Sequence, residues 1–283
     1  MTYFSSNYKR INYPIANDSA KGLRNAQIGA IHAIASHFTL FKDEAAIVIM
    51  PTGSGKTAVL ILSAYLLRAK RVLVISSSVM VRGQIVEEFS QLKTLKASSV
   101  FHSDLPLPKV KEIKSPIKSI EDWEALKEFD VVVGIPNSIN EGINDIFSPE
   151  VDLFDLILVD EAHHVPAFTW SNVVNRFTDA SKIFFTATPF RRDKKEIEGR
   201  VVYKYPLTKA YEDKIFGKIG YYPVITDNHD TDLAIALQAE KIFNQDMSDR
   251  NLNTTKTKIS RNSPCLCNSG KKFKKCCGKV HYN

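Results

Sequence analysis

The glycine-rich segment at residues 50–57 carries the residue types that bind phosphate. Glycines let the backbone turn so that its N–H groups face inward, and a helix start adds positive potential. Lys56 would pair with the β- and γ-phosphates of a nucleotide, and the Thr57 hydroxyl would ligate Mg²⁺. An apolar strand precedes the segment and a helical pattern follows it, which favours a nucleotide-binding loop over an ordinary glycine turn. The nucleotide-binding residues predicted here are Pro51, Thr52, Gly53, Ser54, Gly55, Lys56 and Thr57.

Two adjacent carboxylates end an apolar strand about a hundred residues later. Asp160 would hold Mg²⁺ through water, and Glu161 would polarise the attacking water. His163 would sense the terminal phosphate. A carboxylate pair at a strand end is often only a helix cap, but its combination with the phosphate loop indicates a catalytic nucleotide site. The catalytic residues predicted are Lys56, Asp160, Glu161 and His163.

All four cysteines lie within the last 19 residues, spaced as C-x-C, eight residues, and C-C. Four clustered thiols in a chain otherwise free of cysteine indicate a metal site rather than disulfides. Four thiolates suit tetrahedral Zn²⁺, and so small a unit needs the metal to fold. Reactive free thiols are the alternative. The zinc ligands predicted are Cys265, Cys267, Cys276 and Cys277.

The net charge of +7 comes from residues 254–283, which hold eight basic residues and no acid. The remaining 30 basic residues stand against 31 acidic ones. A basic tail suits a polyanion such as nucleic acid, and a solvated lysine-rich terminus explains the charge equally well. Nucleic acid, a ribosome and a protein partner all remain open as targets of the tail.

The composition, 44% hydrophobic and 24% charged, is that of a globular protein with a core and excludes global disorder. No apolar run approaches the ~18 residues of a membrane-spanning helix. Residues 1–10 are polar and lack the apolar stretch of a secretory signal. We therefore expect a cytoplasmic protein without a membrane partner.

Short apolar segments alternate with helical patterns, which predicts an α/β fold with a mostly parallel sheet covered on both faces. Residues 104–119, rich in lysine and proline, are predicted to be an exposed insertion, and residues 244–261 a polar linker. The predicted helices are Lys56–Lys70, Val79–Leu92 and Ile120–Phe129. The predicted strands are Ala46–Met50, Val72–Ser76, Ser98–His102, Asp130–Ile135, Leu156–Asp160 and Lys182–Thr186.

The segment Asp160-Glu161-Ala162-His163 resembles motif II of the superfamily 2, DEAH-type helicases. With residues 186–193 it is similar to the branch that contains type III restriction subunits and UvrB-like domains. In that family the Thr186-Ala187-Thr188 segment, motif III, couples nucleotide state to nucleic-acid binding through Thr186 and Thr188. The segment Leu23–Gln27 resembles the element that reads adenine, which makes Gln27 the candidate there, although a helix-surface role is the alternative.

Two further strand ends resemble motifs that grip the sugar–phosphate backbone. The first strand end is followed by Ser78 and the second by Asn137, and these two residues are the predicted nucleic-acid contacts. Hydroxyls, amides and backbone N–H groups contact phosphate without reading sequence. Ordinary capping of a strand or helix end is the alternative for both residues. The resemblance implies nucleic acid as a partner, with DNA preferred over RNA.

The resemblance covers about residues 22–221 and implies a single RecA-like P-loop lobe that uses ATP and Mg²⁺. We expect this lobe at residues 1–221, a linker resembling the start of a second lobe at 222–258, and a zinc motif at 259–283. That last segment resembles the SEC-C motif. Relatives have two lobes with ATP between them, and too few residues follow here for a second one. An ATP-dependent switch subunit completed in trans, or a helicase lobe without turnover, is the alternative to an NTPase.

Overall fold

The computed structural model describes residues 1–17, 21–140, 149–165, 168–188, 197–216, 222–224 and 231–253 of the chain. The chain divides into two compact units, Met1–Lys218 and Ile219–Asn283. The first unit contains the sheet and the helices packed on it. Within the described ranges, no helix combines the length and the apolar character needed to cross a membrane.

Seven strands form one sheet in which every neighbouring pair is parallel. The strands are β1 (Ala46–Ile49), β2 (Val72–Ile75), β3 (Val110–Glu112), β4 (Val131–Gly134), β5 (Leu156–Val159), β6 (Ser181–Thr186) and β7 (Arg200–Lys204). Their order across the sheet is β3-β4-β2-β5-β6-β1-β7. This confirms the predicted α/β class with a parallel sheet, the architecture of a RecA-like lobe.

Helices connect the strands and cover both faces of the sheet. In the first unit they are α1 (Tyr3–Asn7), α2 (Asn25–Leu40), α3 (Lys56–Leu66), α4 (Val79–Gln91), α5 (Lys93–Ala97), α6 (Ile120–Ala125), α7 (Pro136–Asn140), α8 (Phe168–Arg176) and α9 (Leu207–Glu212). In the second unit, α10 spans Thr231–Asn253.

Alternate residues of each central strand enter two separate cores. In β2, Val72 and Val74 pack in the core under α2, α3 and α4, whereas Leu73 and Ile75 pack in the core under α6 and α8. All four side chains are 0% exposed. Burial on both faces explains why these strands are continuously apolar rather than alternating.

The parallel arrangement brings the functional candidates to one edge of the sheet, because every strand ends on the same side. At this carboxyl edge β1 leads into the phosphate loop, β5 into Asp160 and Glu161, and β6 into the Thr186–Thr188 segment. The exits of β2 and β4 lie farther along the same edge. The fold therefore gathers segments that lie between about 25 and 130 residues apart in sequence.

The predicted strand Ser98–His102 is wrong. The backbone N–H groups of Val100 and Phe101 both donate to the Leu95 carbonyl, at 3.0 and 3.4 Å, so they close a turn after α5. The Phe101 ring lies 4.7 Å from the ring of Tyr65 in α3. This segment is apolar because it packs as a turn against a helix, and not because it belongs to the sheet.

The predicted exposed insertion at residues 104–119 contains the edge strand β3, so that prediction is wrong for its central part. β3 pairs with β4, and Ile113 and Ile117 beside it are only 3% and 5% exposed. Three residues of mixed polarity are too few to give a recognisable strand pattern.

Other elements differ from expectation at their ends. The helix α3 ends four residues before the predicted Lys70, and Arg68 adopts a left-handed φ of +52°. The helix α6 ends at Ala125 and a 3-10 turn follows it. β7 was not among the predicted strands. The helix α10 continues to Asn253, inside the segment expected to be a polar linker.

Candidate functional site

The phosphate loop has the backbone conformation that its glycines permit. Gly53 and Gly55 have φ values of +82° and +90°, a region that other residues rarely adopt. Gly55 is also the N-cap of α3. The buried Ser54 hydroxyl donates to the Pro51 carbonyl at 2.6 Å and closes the turn from inside. The loop is thus a concave turn that opens onto a helix N-terminus.

The residues that would meet a nucleotide stand at the start of α3. Lys56 is its first residue, Thr57 follows with an exposed side chain, and Thr52 is exposed in the preceding turn. Because α3 has eleven residues, its first N–H groups and its dipole favour an anion at this position.

Lys56 is paired with Glu161 across the edge of the sheet. The Lys56 Nζ atom lies 2.7 Å from Glu161 Oε1, and the two side chains are 12% and 27% exposed. β5 and β1 are separated by β6, so this ion pair spans two strand intervals. The cation expected to bind phosphate and the carboxylate expected to polarise water therefore meet in this structure.

The carboxylates after β5 sit in a strained and partly desolvated turn. Asp160 continues the strand, and its N–H donates to the Ile75 carbonyl at 2.9 Å, whereas Glu161 has a left-handed φ of +51°. Burial raises the pKa of Asp160 above its usual 3.8, partly offset by the positive charge of Lys56 and reinforced by the negative charge of Glu161. A nearby divalent cation would favour the ionised form of Asp160.

His163 connects this turn to the end of β6. Its Nδ1 lies 3.2 Å from Thr186 Oγ1 and 3.4 Å from Glu161 Oε2. The Thr186 hydroxyl donates to the Thr188 carbonyl at 3.0 Å and accepts from the Thr188 N–H at 3.2 Å. Because the single hydroxyl proton is used by Thr188, the contact with His163 requires a proton on Nδ1.

Gln27 is buried against the phosphate loop. It is 8% exposed, its Oε1 accepts from the Arg24 N–H at 2.8 Å, and its Nε2 donates to the Gly55 carbonyl at 3.3 Å. A Cβ atom on Gly55 would stand 2.2 Å from this Nε2. The amide retains one lone pair and one N–H beyond these bonds. Gln27 is therefore not a helix-surface residue, and it fixes α2 against the loop.

Arg24 is a site residue that the sequence did not single out. Its guanidinium donates to the Gly53 carbonyl, so a cation lies directly on the phosphate loop. Its position three residues before Gln27, within the segment already noted for adenine, was the available signal.

An open cleft of about 1170 Å³ runs beside the loop. Gln27, Lys56 and Glu161 share its wall with Arg24. It extends over α3 towards α4 and α5, and its other lining residues include Lys21, Thr52, Thr57, Ile61, Gln84 and Thr94.

Ser78 and Asn137 lie farther along the carboxyl edge, beyond β5. The Ser78 hydroxyl accepts from the Val81 N–H at 3.3 Å and caps α4, which is the alternative assigned to it above. Asn137 is exposed in the first turn of α7. The two residues follow neighbouring strands. Neither belongs to the cluster around Lys56, which consists of Arg24, Gln27, Lys56, Asp160, Glu161, His163 and Thr186.

The zinc ligands predicted above, Cys265, Cys267, Cys276 and Cys277, lie outside the described residues. Within the described ranges, no group of three or more His, Cys, Asp and Glu side chains forms a metal cluster. A Mg²⁺ ion would thus need Thr57, Asp160 and a bound phosphate together, which is how this ion is usually held.

The sequence matches two family patterns. The family described as "Type III restriction enzyme, res subunit" matches residues 20–191, and the SEC-C motif matches residues 261–279. These matches confirm the resemblance of the helicase motifs and of the cysteine segment to these two families.

Individual proteins are also similar to parts of this chain. A protein named "Putative helicase 22" from Sulfolobus islandicus filamentous virus is 26% identical over 72% of this chain and 36% of its own length. A UPF0225 protein of Vibrio vulnificus is 61% identical over 28 residues, 10% of this chain and 17% of that protein. The crystal structure of the UvsW helicase from bacteriophage T4 aligns with a TM-score of 0.43 and 15% identity, covering 68% of this chain and 61% of that one.

The chain spans only about a third of the length of the viral relative. The restriction-subunit match, however, covers more than half of the chain and includes every residue of the cluster around Lys56. This protein therefore belongs to the type III restriction enzyme res subunit family, a branch of the superfamily 2 helicases, and carries a SEC-C motif behind its helicase-like domain.

Proposed function

We propose that this helicase-like domain is an ATP-binding lobe that hydrolyses ATP in response to nucleic acid. The ion pair between Lys56 and Glu161 is the observation that carries the proposal, because it brings a phosphate-binding cation and a water-activating carboxylate to 2.7 Å. A nucleotide bound on the loop would place its terminal phosphate between these two groups.

The roles follow from the position of each side chain. Lys56 and the N–H groups at the start of α3 bind the phosphates, and Gly55 permits the left-handed turn that leads into this helix. Thr57 and Asp160 would hold Mg²⁺, which supplies positive charge against the phosphate oxygens. Glu161 then accepts a hydrogen bond from water once Lys56 has turned to phosphate.

The path from ATP to nucleic acid runs through His163. Loss of the Lys56 pair frees Glu161, whose other oxygen lies 3.4 Å from His163 Nδ1. His163 in turn contacts Thr186, whose hydroxyl holds Thr188. A change in this series of side-chain contacts would alter the end of β6. The same edge of the sheet carries Asn137 and the N-terminus of α4, which would contact a nucleic-acid strand.

Turnover needs charge stabilisation from outside this lobe. An arginine supplied across the nucleotide is worth about 10³–10⁵ in rate in related NTPases. We propose that residues 1–283 by themselves bind ATP, hydrolyse it slowly and do not unwind duplexes. Unwinding would require a second lobe, in the same polypeptide or in trans, that closes on the nucleotide. An ATP-dependent switch subunit is the second candidate, favoured by the resting ion pair that occupies Lys56.

The domain organisation proposed for the rest of the chain follows the sequence. Residues 1–221 form the lobe, 222–258 connect it, and 259–283 form a zinc-binding adaptor with Cys265, Cys267, Cys276 and Cys277 as ligands. Thiols reserved for a metal suit a reducing compartment such as the cytoplasm. The lysines of the adaptor suit nucleic acid or an acidic protein surface, with DNA preferred because the family acts in restriction.

Lys56→Ala tests the nucleotide site. We expect it to weaken the binding of a fluorescent ATP analogue with Mg²⁺ at least about a hundredfold, the effect of losing roughly 2.8 kcal/mol. Lys70→Ala is the matched control, since Lys70 is exposed at the opposite edge of the sheet. Equal affinities for the wild type and Lys56→Ala would remove the proposed function.

A further inference from the structure

The half of the carboxyl edge formed by β3, β4 and β2 offers polar and apolar groups but few available charges. The N-terminus of the thirteen-residue helix α4 begins here with Val79 and Met80, which are 59% and 75% exposed. Asn137 is exposed at the next strand exit. Such groups contact a sugar–phosphate backbone but do not neutralise it.

The charge that α4 itself could supply is already used. Arg82 is 5% exposed, its Nε lies 2.9 Å from Glu112 Oε1, and it donates to the Ile113 carbonyl at 3.0 Å. It ties α4 to β3 from inside the protein. A phosphate at the start of α4 would have no contact with this buried guanidinium.

Two exposed lysines lie next to this weakly charged part of the edge, just after the carboxyl end of β3. The Lys114 side chain is 74% exposed and lies 3.4 Å from Glu112 Oε2, a carboxylate already shared with Arg82. Lys118 is exposed, and among the described residues its ammonium has no ion-pair partner. The Ile117 N–H donates to the Ser138 carbonyl at 3.2 Å, which fixes residues 114–118 beside the start of α7.

We propose that this segment, the Lys114–Lys118 loop, binds the phosphates of a single nucleic-acid strand that crosses the carboxyl edge past Asn137. The proposal rests on the nucleic-acid association proposed above and names residues that supply its charge. Each phosphate contact releases condensed counterions, so the lysines contribute in a salt-dependent way. Because phosphate carries no base identity, the loop holds DNA and RNA strands alike.

A second pair of exposed lysines provides a matched control. Lys109 precedes β3 and Lys111 is its middle residue, so neither belongs to the loop that follows the strand. Two double variants of the full chain are compared, and each removes two positive charges. The first combines Lys114→Gln and Lys118→Gln, and the second combines Lys109→Gln and Lys111→Gln. Fluorescence anisotropy of labelled oligothymidine and oligouridine 20-mers is measured at several salt concentrations.

We expect the Lys114 and Lys118 double variant to bind both probes about tenfold more weakly at low salt. Its slope of log affinity against log salt should be shallower by about 1.4, from roughly 0.7 per lost single-strand contact. The Lys109 and Lys111 double variant should match the wild type in both quantities. If the wild type binds and the two double variants bind equally, the loop proposal is overturned while the proposed function stands; a wild type that binds neither probe overturns both.

Discussion

The ammonium of Lys56 and the carboxylate of Glu161 form a direct ion pair at 2.7 Å, although 105 residues separate them in the chain. Each group is therefore satisfied before a nucleotide arrives. In the proposed site, ATP would compete with Glu161 for Lys56, and its binding would leave Glu161 available to water and to His163. In this structure, therefore, Lys56 is engaged by a carboxylate and is not free to bind phosphate.

Glu161→Gln should tighten ATP binding by up to about tenfold, because a neutral amide competes less well for Lys56 than a carboxylate does. Hydrolysis should fall to background, since an amide cannot accept a proton from water. Titration calorimetry with ATP–Mg²⁺ measures the first effect and a phosphate-release assay the second. Glu121→Gln, an exposed change on α6, should alter neither.

Asp160→Asn should make the protein more stable at neutral pH and lose the stabilisation given by ATP–Mg²⁺. The pKa of Asp160 is raised above 3.8 by burial, so this residue stabilises the folded state at low pH and that contribution is lost as pH rises through its folded pKa. The gain in melting temperature over the wild type should thus be larger at pH 7.5 than at pH 4. Asp152→Asn, at an exposed position, is the control variant.

Gly55→Ala should destabilise the lobe by about 1–2 kcal/mol, the cost of a left-handed backbone at an alanine. It should also weaken ATP binding, because the new Cβ displaces the Gln27 amide that lies 2.2 Å away. Gly83→Ala in α4 is the opposite case, since a Cβ there meets nothing within 4 Å, and it should stabilise by about 0.5–1 kcal/mol. Urea titrations of both variants measure these changes, and equal stabilities would contradict the loop geometry.

Thr186→Ala should abolish the coupling between ATP binding and nucleic-acid binding. The affinity for ATP in the absence of nucleic acid should not change. The wild type should bind ATP about fivefold or more tightly with saturating oligothymidine, and this ratio should fall to about one in the variant. Thr186→Ser keeps the hydroxyl that meets His163 and Thr188, so it should retain the ratio. A ratio unchanged in Thr186→Ala would rule out this route.

The full chain should carry one zinc per molecule, as measured by elemental analysis. Cys276→Ser with Cys277→Ser should abolish zinc binding, because two thiolates cannot complete a tetrahedral site. ATP affinity should not change, since the residues proposed to bind ATP all belong to the first compact unit, Met1–Lys218, and the cysteines do not. A zinc-free native protein with four titratable thiols would contradict the ligand assignment.

The local conformation of the candidate nucleotide site could be predicted from the sequence because local rules produce it. Only glycine readily adopts the φ values of Gly53 and Gly55. The apolar strand that ends in Asp160 and Glu161 is likewise a local pattern of the sequence. The parallel sheet was equally predictable, since strands buried on both faces are continuously apolar.

Long-range packing decided the rest. Ser98–His102 has the composition of a strand but packs as a turn on α3, while Val110–Glu112 lacks that composition and becomes one by pairing with β4. The strand order places β6 between β5 and β1, and this spacing brings Lys56 to Glu161 and Thr186 to His163. Such contacts depend on which buried surfaces fit together across the whole sheet, a property that no segment of the chain carries alone.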